Sequence, residues 1–243
     1  MLIINADDFG KSATVSNNIL SCFKNGRITS ASAMVFMEDS ERAAGVGLAQ
    51  GLEVGLHLNL DERFTGKVPQ GPLLGYQERI ATFLTGTWYN QILYNPFLWK
   101  EFDYVYKAQY EEFVRLYGRR PSHINGHHHR HLCSNILLGK SISAGEKVRR
   151  SFTFRHGEKS LANRLYRRLV DVVVERRFVT TDMFFAAVPA EPIEALCEKV
   201  QFAFRHVVEL MVHASTDADM GYLMNQSFAD TIAGAPRGTY RDL

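Results

Sequence analysis

A chain of 243 residues is long enough for one large α/β domain or two small ones, and a net charge of +2 gives no reason to expect a nucleic-acid partner. Its three cysteines, Cys22, Cys133 and Cys197, are far apart and odd in number, which argues against a disulfide framework or a CxxC metal motif and fits a reducing cytoplasm. No run approaches the ~18 apolar residues of a membrane helix. Asp7 and Asp8 also interrupt the first apolar run before a signal peptide could complete itself, so the expectation is a soluble, cytoplasmic protein without a transmembrane segment.

Leu2 to Ala6 reads as a buried strand whose carboxyl end delivers Asp7-Asp8-Phe9-Gly10, and in barrels and open α/β sheets that end carries the chemistry. Two adjacent carboxylates repel each other unless a cation lies between or beside them. One of the pair could instead cap the next helix. Ser12 to Lys24 has helical spacing, with Val15, Ile19, Leu20 and Phe23 on one face and Asn25-Gly26 as the stop. Thr29 to Phe36 reads as a strand of small residues and Ser40 to Ala49 as a helix. In Leu52 to Leu60, Val54, Leu56, Leu58 and Leu60 alternate with Gly55, His57 and Asn59, giving a strand with one apolar face. A lone histidine there is commonly structural, and other candidate ligands elsewhere shift that balance.

Residues 61–99 are rich in glycine, proline and aromatics and read as an irregular excursion whose rings, Trp88, Tyr89 and Trp99 among them, either form a mini-core of their own or stack on a sugar. The mini-core is favoured. Phe102, Tyr106, Tyr110, Phe113 and Tyr117 recur at helical spacing, so this stripe is core packing, and Gly118 ends the helix.

His123 to His131 holds five of the nine histidines. As a strand it would place His123, Asn125, His127, His129 and His131 on one side, and as a helix His123, His127 and His131 would share a face. Pro121 and Gly126 favour a short strand running into a loop. The cluster suits a metal site, the alternative being a solvated or hydrogen-bonded set of histidines.

Gly145 to Phe154 reads as a further strand with Arg149 and Arg150 near its middle. Residues 147–177 contain ten Lys or Arg, and Leu161, Leu165, Leu169, Val172 and Val173 supply the apolar face of a basic amphipathic helix. Such a helix presents either a solvated face or an attraction for an anionic partner, a phosphate-bearing substrate or a membrane surface. Pro192 to His206 reads as a helix and Val207 to Val212 as a strand, with His213 directly after it. No repeat or linker divides the chain, so one domain is expected.

Five blocks in order, Asn5-Ala6-Asp7-Asp8-Phe9-Gly10, Gly55-Leu56-His57-Leu58-Asn59-Leu60, His123-Ile124-Asn125-Gly126-His127-His128-His129, Val212-His213 and Tyr240-Arg241-Asp242, make the chain resemble the YdjC-like carbohydrate deacetylases. That group includes chitooligosaccharide deacetylases and the hopanoid-biosynthesis-associated deacetylases. The resemblance implies an α/β fold of the distorted, incomplete (β/α) barrel type. It implies N-deacetylation of an acetamido sugar, anionic or lipid-linked carriers being left open, with one divalent metal ion and a homodimer as family expectations. It further implies Asp8, His57 and His127 as metal ligands, Asp7 as base and His213 as acid. Phe9, Asn59, Asn125, His129 and Arg149 are the candidate substrate contacts.

The donor set suits Zn²⁺, whereas the family is commonly described with Mg²⁺. The chain departs from the family pattern at Asn125, where Asp is usual, and at Ala214, where Pro is usual. A metal-dependent phosphoesterase, which would prefer two metals, and a non-catalytic sugar-binding descendant are the alternative functions.

Overall fold

The computed structural model describes residues 1–154 and 157–243. The chain alternates strands and helices: β1 (Leu2–Phe9), α1 (Ala13–Lys24), β2 (Ser30–Ala33), α2 (Ser40–Ala49), β3 (Val54–Leu58), α3 (Leu73–Gly86), α4 (Trp99–Tyr117), β4 (Ile124–Gly126) and α5 (Ser134–Leu137). It continues through α6 (Leu161–Arg177), β5 (Met183–Ala186), α7 (Ile193–Gln201), β6 (Val208–Val212), α8 (Asp217–Met224) and α9 (Gln226–Ala233). The six strands form one parallel sheet in the order β4-β3-β2-β1-β6-β5. It curls into a half-barrel, the incomplete barrel expected from the resemblance.

Strand alternation sorts the residues by face. Leu2, Ile4 and Ala6 of β1 and Val54, Leu56 and Leu58 of β3 belong to the continuous apolar core. The concave face is polar: Asn5 is in register with Ser30 and Met211, Ser32 with Gly55, and His57 with Asn125. All of its polar side chains are buried, so they must satisfy one another. Tyr240 closes this interior from the carboxyl-terminal segment, its hydroxyl donating to Glu209 of β6 at 2.5 Å and its ring stacked on His123 at 4.0 Å. A Cβ on Gly55 would lie 2.4 Å from that imidazole, so only glycine lets His123 cross the strand.

The helices start and stop by local chemistry. Ser12 caps α1 by accepting from Val15 N, and Gly118, at φ 63°, ends α4 in the left-handed conformation glycine tolerates. Phe102, Tyr106, Phe113 and Tyr117 of α4 are buried, each such side chain contributing roughly 1.5–3 kcal/mol, and Tyr110 packs at the margin.

Some sequence expectations hold and others are corrected. As Pro121 and Gly126 suggest, the histidine strand is short and stops at Gly126, and residues 127–132 form 3-10 turns in which His128 and His129 take left-handed angles (φ 51° and 57°). Extended alternation therefore ends before His127. Residues 145–154 form no full strand, and Lys147 and Val148 make only isolated bridges to Val179 and Ile124. The strand expected over 29–36 is confined to Ser30–Ala33, because the chain turns sharply at Phe36 (φ 60°).

The 61–99 excursion contains a 14-residue helix, α3, whose Leu73, Ile80 and Leu84 reach the core. Its aromatics do not bury one another, since Trp88 and Phe97 are 81% and 89% exposed. In α6, Leu161, Leu165 and Leu169 face outward, while Val170 and Val174 are its buried residues.

Candidate metal centre

The carboxyl ends of β1, β3 and β4 deliver the site. The pairing of β1 with β2 shifts register between Ala6 and Phe9, and Asp8 takes φ 71°, a left-handed angle costly for a residue other than glycine. This bulge brings Asp8 against the two imidazoles and leaves Asp7 to a buried arginine. Asp8 Oδ1 lies 3.3 Å from His57 Nε2 and 3.1 Å from His127 Nδ1. Among the described residues, Asp8, His57 and His127 offer ligand atoms all within 4.8 Å of one another, and all three side chains are buried.

The donor set fits a divalent ion on its own geometry. One carboxylate oxygen faces two imidazole nitrogens. His127 Nε2 is buried without an aligned hydrogen bond, although Glu62 Oε2 approaches it to 2.7 Å. Asn125 Oδ1 lies 2.7 Å from His57 Nδ1, which, if it accepts the ring N–H, leaves Nε2 free to ligate. Asn59 pins the turn that brings Glu62 to the mouth, Nδ2 donating to the Glu62 carbonyl at 2.7 Å and Oδ1 accepting from Glu62 N at 2.9 Å. Lys11 pairs with the same Glu62 carboxylate at 2.7 Å.

Asp7 lies behind the donors in a separate charge cluster. Arg149, fully buried, grips it with Nη1 to Oδ2 at 2.6 Å and Nη2 to Oδ1 at 2.8 Å. Asn5, Ser32 and Asn125 also donate to Asp7 Oδ1, at 2.9, 2.7 and 3.2 Å. Burial opposes its charge, but the Arg149 guanidinium outweighs it and holds the Asp7 carboxyl well below the usual carboxylate range. Arg149 also donates to Glu209 Oε1 through Nε and Nη2, at 2.9 and 2.7 Å. Burial leaves Glu209 raised despite this pairing.

His213 follows β6 directly and is half-buried. The next carbonyl, of Ala214, accepts from Asn18 Nδ2 at 2.9 Å, a restraint on the backbone where the family pattern has proline.

The other expected substrate contacts fall in different places. Phe9 is fully buried with its ring toward Gly47 of α2. Asn59, Asn125 and Arg149 spend their polar atoms on the internal bonds just given. His129 is half-buried, edge-on to Phe152 at 4.6 Å. The sequence reading named Asn5 and Tyr240 only within family blocks, without a role, and singled out none of Ser32, Glu62 and Glu209. Glu209 carried a signal, a lone acid inside the apolar run Val207 to Val212, whereas Ser32 and Glu62 carried none.

The curled parallel half-barrel is a fold shared with known proteins. The model of the YdjC-like protein family matches residues 1–240, and the chain belongs to that family. A chitooligosaccharide deacetylase of Escherichia fergusonii is 36% identical over 139 residues, 56% of this chain and 52% of the relative, so the chain spans about half the length of that relative. A chitooligosaccharide deacetylase of Salmonella paratyphi B is 27% identical over 234 residues, 96% of this chain and 83% of the relative. The crystal structure of a candidate cellobiose-phosphate cleavage protein from Enterococcus faecalis V583 shares the fold, with a TM-score of 0.72 at 22% identity over 99% of this chain and 97% of that one. No helix among the described residues is long and apolar enough to cross a membrane.

Proposed function

We propose that this protein is a metal-dependent hydrolase that removes the N-acetyl group from an acetamido sugar and releases acetate. The observation that carries this reading is the convergence of Asp8, His57 and His127 beside a second carboxylate, Asp7, that is held ionised. The names of the relatives, chitooligosaccharide deacetylases, support the same reaction class. A divalent ion, Zn²⁺ or Mg²⁺, held by Asp8, His57 and His127 supplies Lewis acidity, which polarises the acetamide carbonyl and lowers the pKa of a water.

The chain's own residues then handle protons and orientation. Asp7 accepts the proton of the attacking water as general base. Arg149 orients the carboxylate, and the proton Asp7 takes is released to bulk water, which reloads His213 after each turnover. His213, on the neighbouring strand end, donates to the departing sugar amine. Asn125 fixes the His57 ring, Asn59 fixes the turn carrying Glu62, and Arg149 orients Asp7, so these three shape the site from behind. Phe9 supports β1 from the α2 side. His129, at the mouth, is the candidate sugar contact. A cytoplasmic setting fits the three free cysteines.

The test is acetate release from N-acetylglucosamine oligosaccharides, set against phosphate release from generic phosphate esters. Acetate is the expected product, and Asp7→Asn lowers kcat by roughly 10²–10⁴-fold while retaining the metal. Phosphate release alone, or an Asp7→Asn variant of full activity, would overturn the reading.

A further inference from the structure

A groove of about 540 Å³ lies between α6 and residues 150–154. Its walls carry four arginines, Arg150, Arg164, Arg167 and Arg168, against three acids, Asp171, Glu175 and Asp182, with Phe152, Phe154 and Leu165 between them. Arg150, also on the groove, is neutralised by Asp171 and Glu175 at 3.0 and 3.2 Å. Among the described residues, no carboxylate lies within ion-pair distance of the other three arginines.

Arg167 is the informative one. It is half-buried, with Nε donating to Asn163 Oδ1 at 2.9 Å and its guanidinium 4.8 Å from the Phe154 ring centroid. Burial pulls it below the usual guanidinium range. A desolvated guanidinium without a directly paired counter-ion is a place for a ligand anion, and the planar fork matches phosphate oxygens two at a time.

The hydrocarbon side is equally unpartnered. Leu161, Leu165 and Leu169 recur every fourth residue on α6 and are 78%, 58% and 60% exposed, an arrangement that water does not favour. The groove is joined toward the metal centre only through shared walls. Phe152 and Arg167 line it and also line a smaller cavity of about 180 Å³ whose wall includes His128 and His129, the two residues after His127.

From this juxtaposition we infer that the groove binds a phosphate or diphosphate group borne on a hydrocarbon chain, the carrier of the acetamido sugar whose acetyl group is cleaved. The inference rests on the hydrolase reading for the sugar, but the groove's chemistry stands on its own residues. Arginines take the phosphate oxygens, and Leu161, Leu165 and Phe154, which line the groove, cover the first part of the chain. No covalent step occurs in the groove.

The test is calorimetric titration of the full chain with geranyl diphosphate, inorganic diphosphate and geraniol. Geranyl diphosphate is expected to bind saturably at one site, at least tenfold more tightly than either half alone. Arg164→Gln with Arg167→Gln weakens it at least tenfold. Leu161→Asn with Leu165→Asn, both on the exposed face, weakens geranyl diphosphate and leaves inorganic diphosphate unchanged. Equal affinity in wild type and both variants would overturn the proposal, because the diphosphate would then be bound elsewhere, and so would equal affinity for geranyl and inorganic diphosphate. Acetate release by the wild type separates the two readings. Groove binding without acetate release counts against the hydrolase alone, and acetate release without groove binding counts against the carrier alone.

Discussion

Arg149 holds Asp7 through two parallel hydrogen bonds of 2.6 and 2.8 Å in a place where both side chains are all but sealed from water. The pair is joined to Glu209 and, through it, to Tyr240, so a segment near the carboxyl terminus tightens the cluster behind the metal centre. Removing one member of such a buried set leaves uncompensated charge. Arg149→Met is therefore expected to destabilise the protein by about 3–5 kcal/mol, measured as urea unfolding free energy. A variant within 1 kcal/mol or so of wild type would show that the cluster contributes little.

Asn125 links the metal centre to this cluster, with Oδ1 beside His57 Nδ1 and Nδ2 donating to Asp7. Loss of such an orienting partner typically costs 10–100-fold in metal affinity. Asn125→Ala is expected to weaken Zn²⁺ binding by that factor. Asn125→Asp restores the residue usual in the family and makes His57 a more basic ligand, so it should bind Zn²⁺ more tightly than wild type. Competition with a chromophoric chelator measures both.

Gly55 gives His123 its path across β3. Gly55→Ala would push a methyl carbon to 2.4 Å from a buried ring stacked on Tyr240, and overpacking of this kind typically costs about 1–3 kcal/mol. Thermal melting checks this. An unchanged melting temperature would show that the interior yields there.

His123 and His131 are buried and neutral, burial holding both well below the ordinary 6.5. Below that value the unfolded chain binds protons that the folded chain refuses, so what these two contribute to stability is full above pH 6.5 and falls as the pH drops. Each adds about 1.4 kcal/mol per pH unit to the slope on the acid side. His129, pushed down to about 3 by burial, adds to it, and His57, raised despite its burial by the Asp7 and Asp8 carboxylates, opposes it. Urea unfolding of chelator-treated protein between pH 7.5 and 5 measures it, and His123→Gln should reduce the slope. A pH-independent stability over that range would contradict the neutral assignment.

The strand tips were legible because chemistry interrupts apolar patterning at those points: Asp7-Asp8 after Leu2 to Ala6, His57 in the alternation of β3, His213 after Val212. The family blocks added which of them act together. What could not be read were features set by backbone and tertiary contact. The bulge at Asp8 and the left-handed turn at His128 and His129 give no residue signal, because glycine is absent where φ is positive. The leucines on the apolar face of α6 turn out to point outward, since periodicity reports that a helix has two faces and not which one is covered.

Calorimetric titration of the chelator-treated protein with Zn²⁺ reaches the central claim most directly. The account expects one ion per chain, with affinity reduced at least about a hundredfold by Asp8→Asn, by His57→Gln or by His127→Gln. Tight binding of one ion that persists undiminished in all three variants would contradict it.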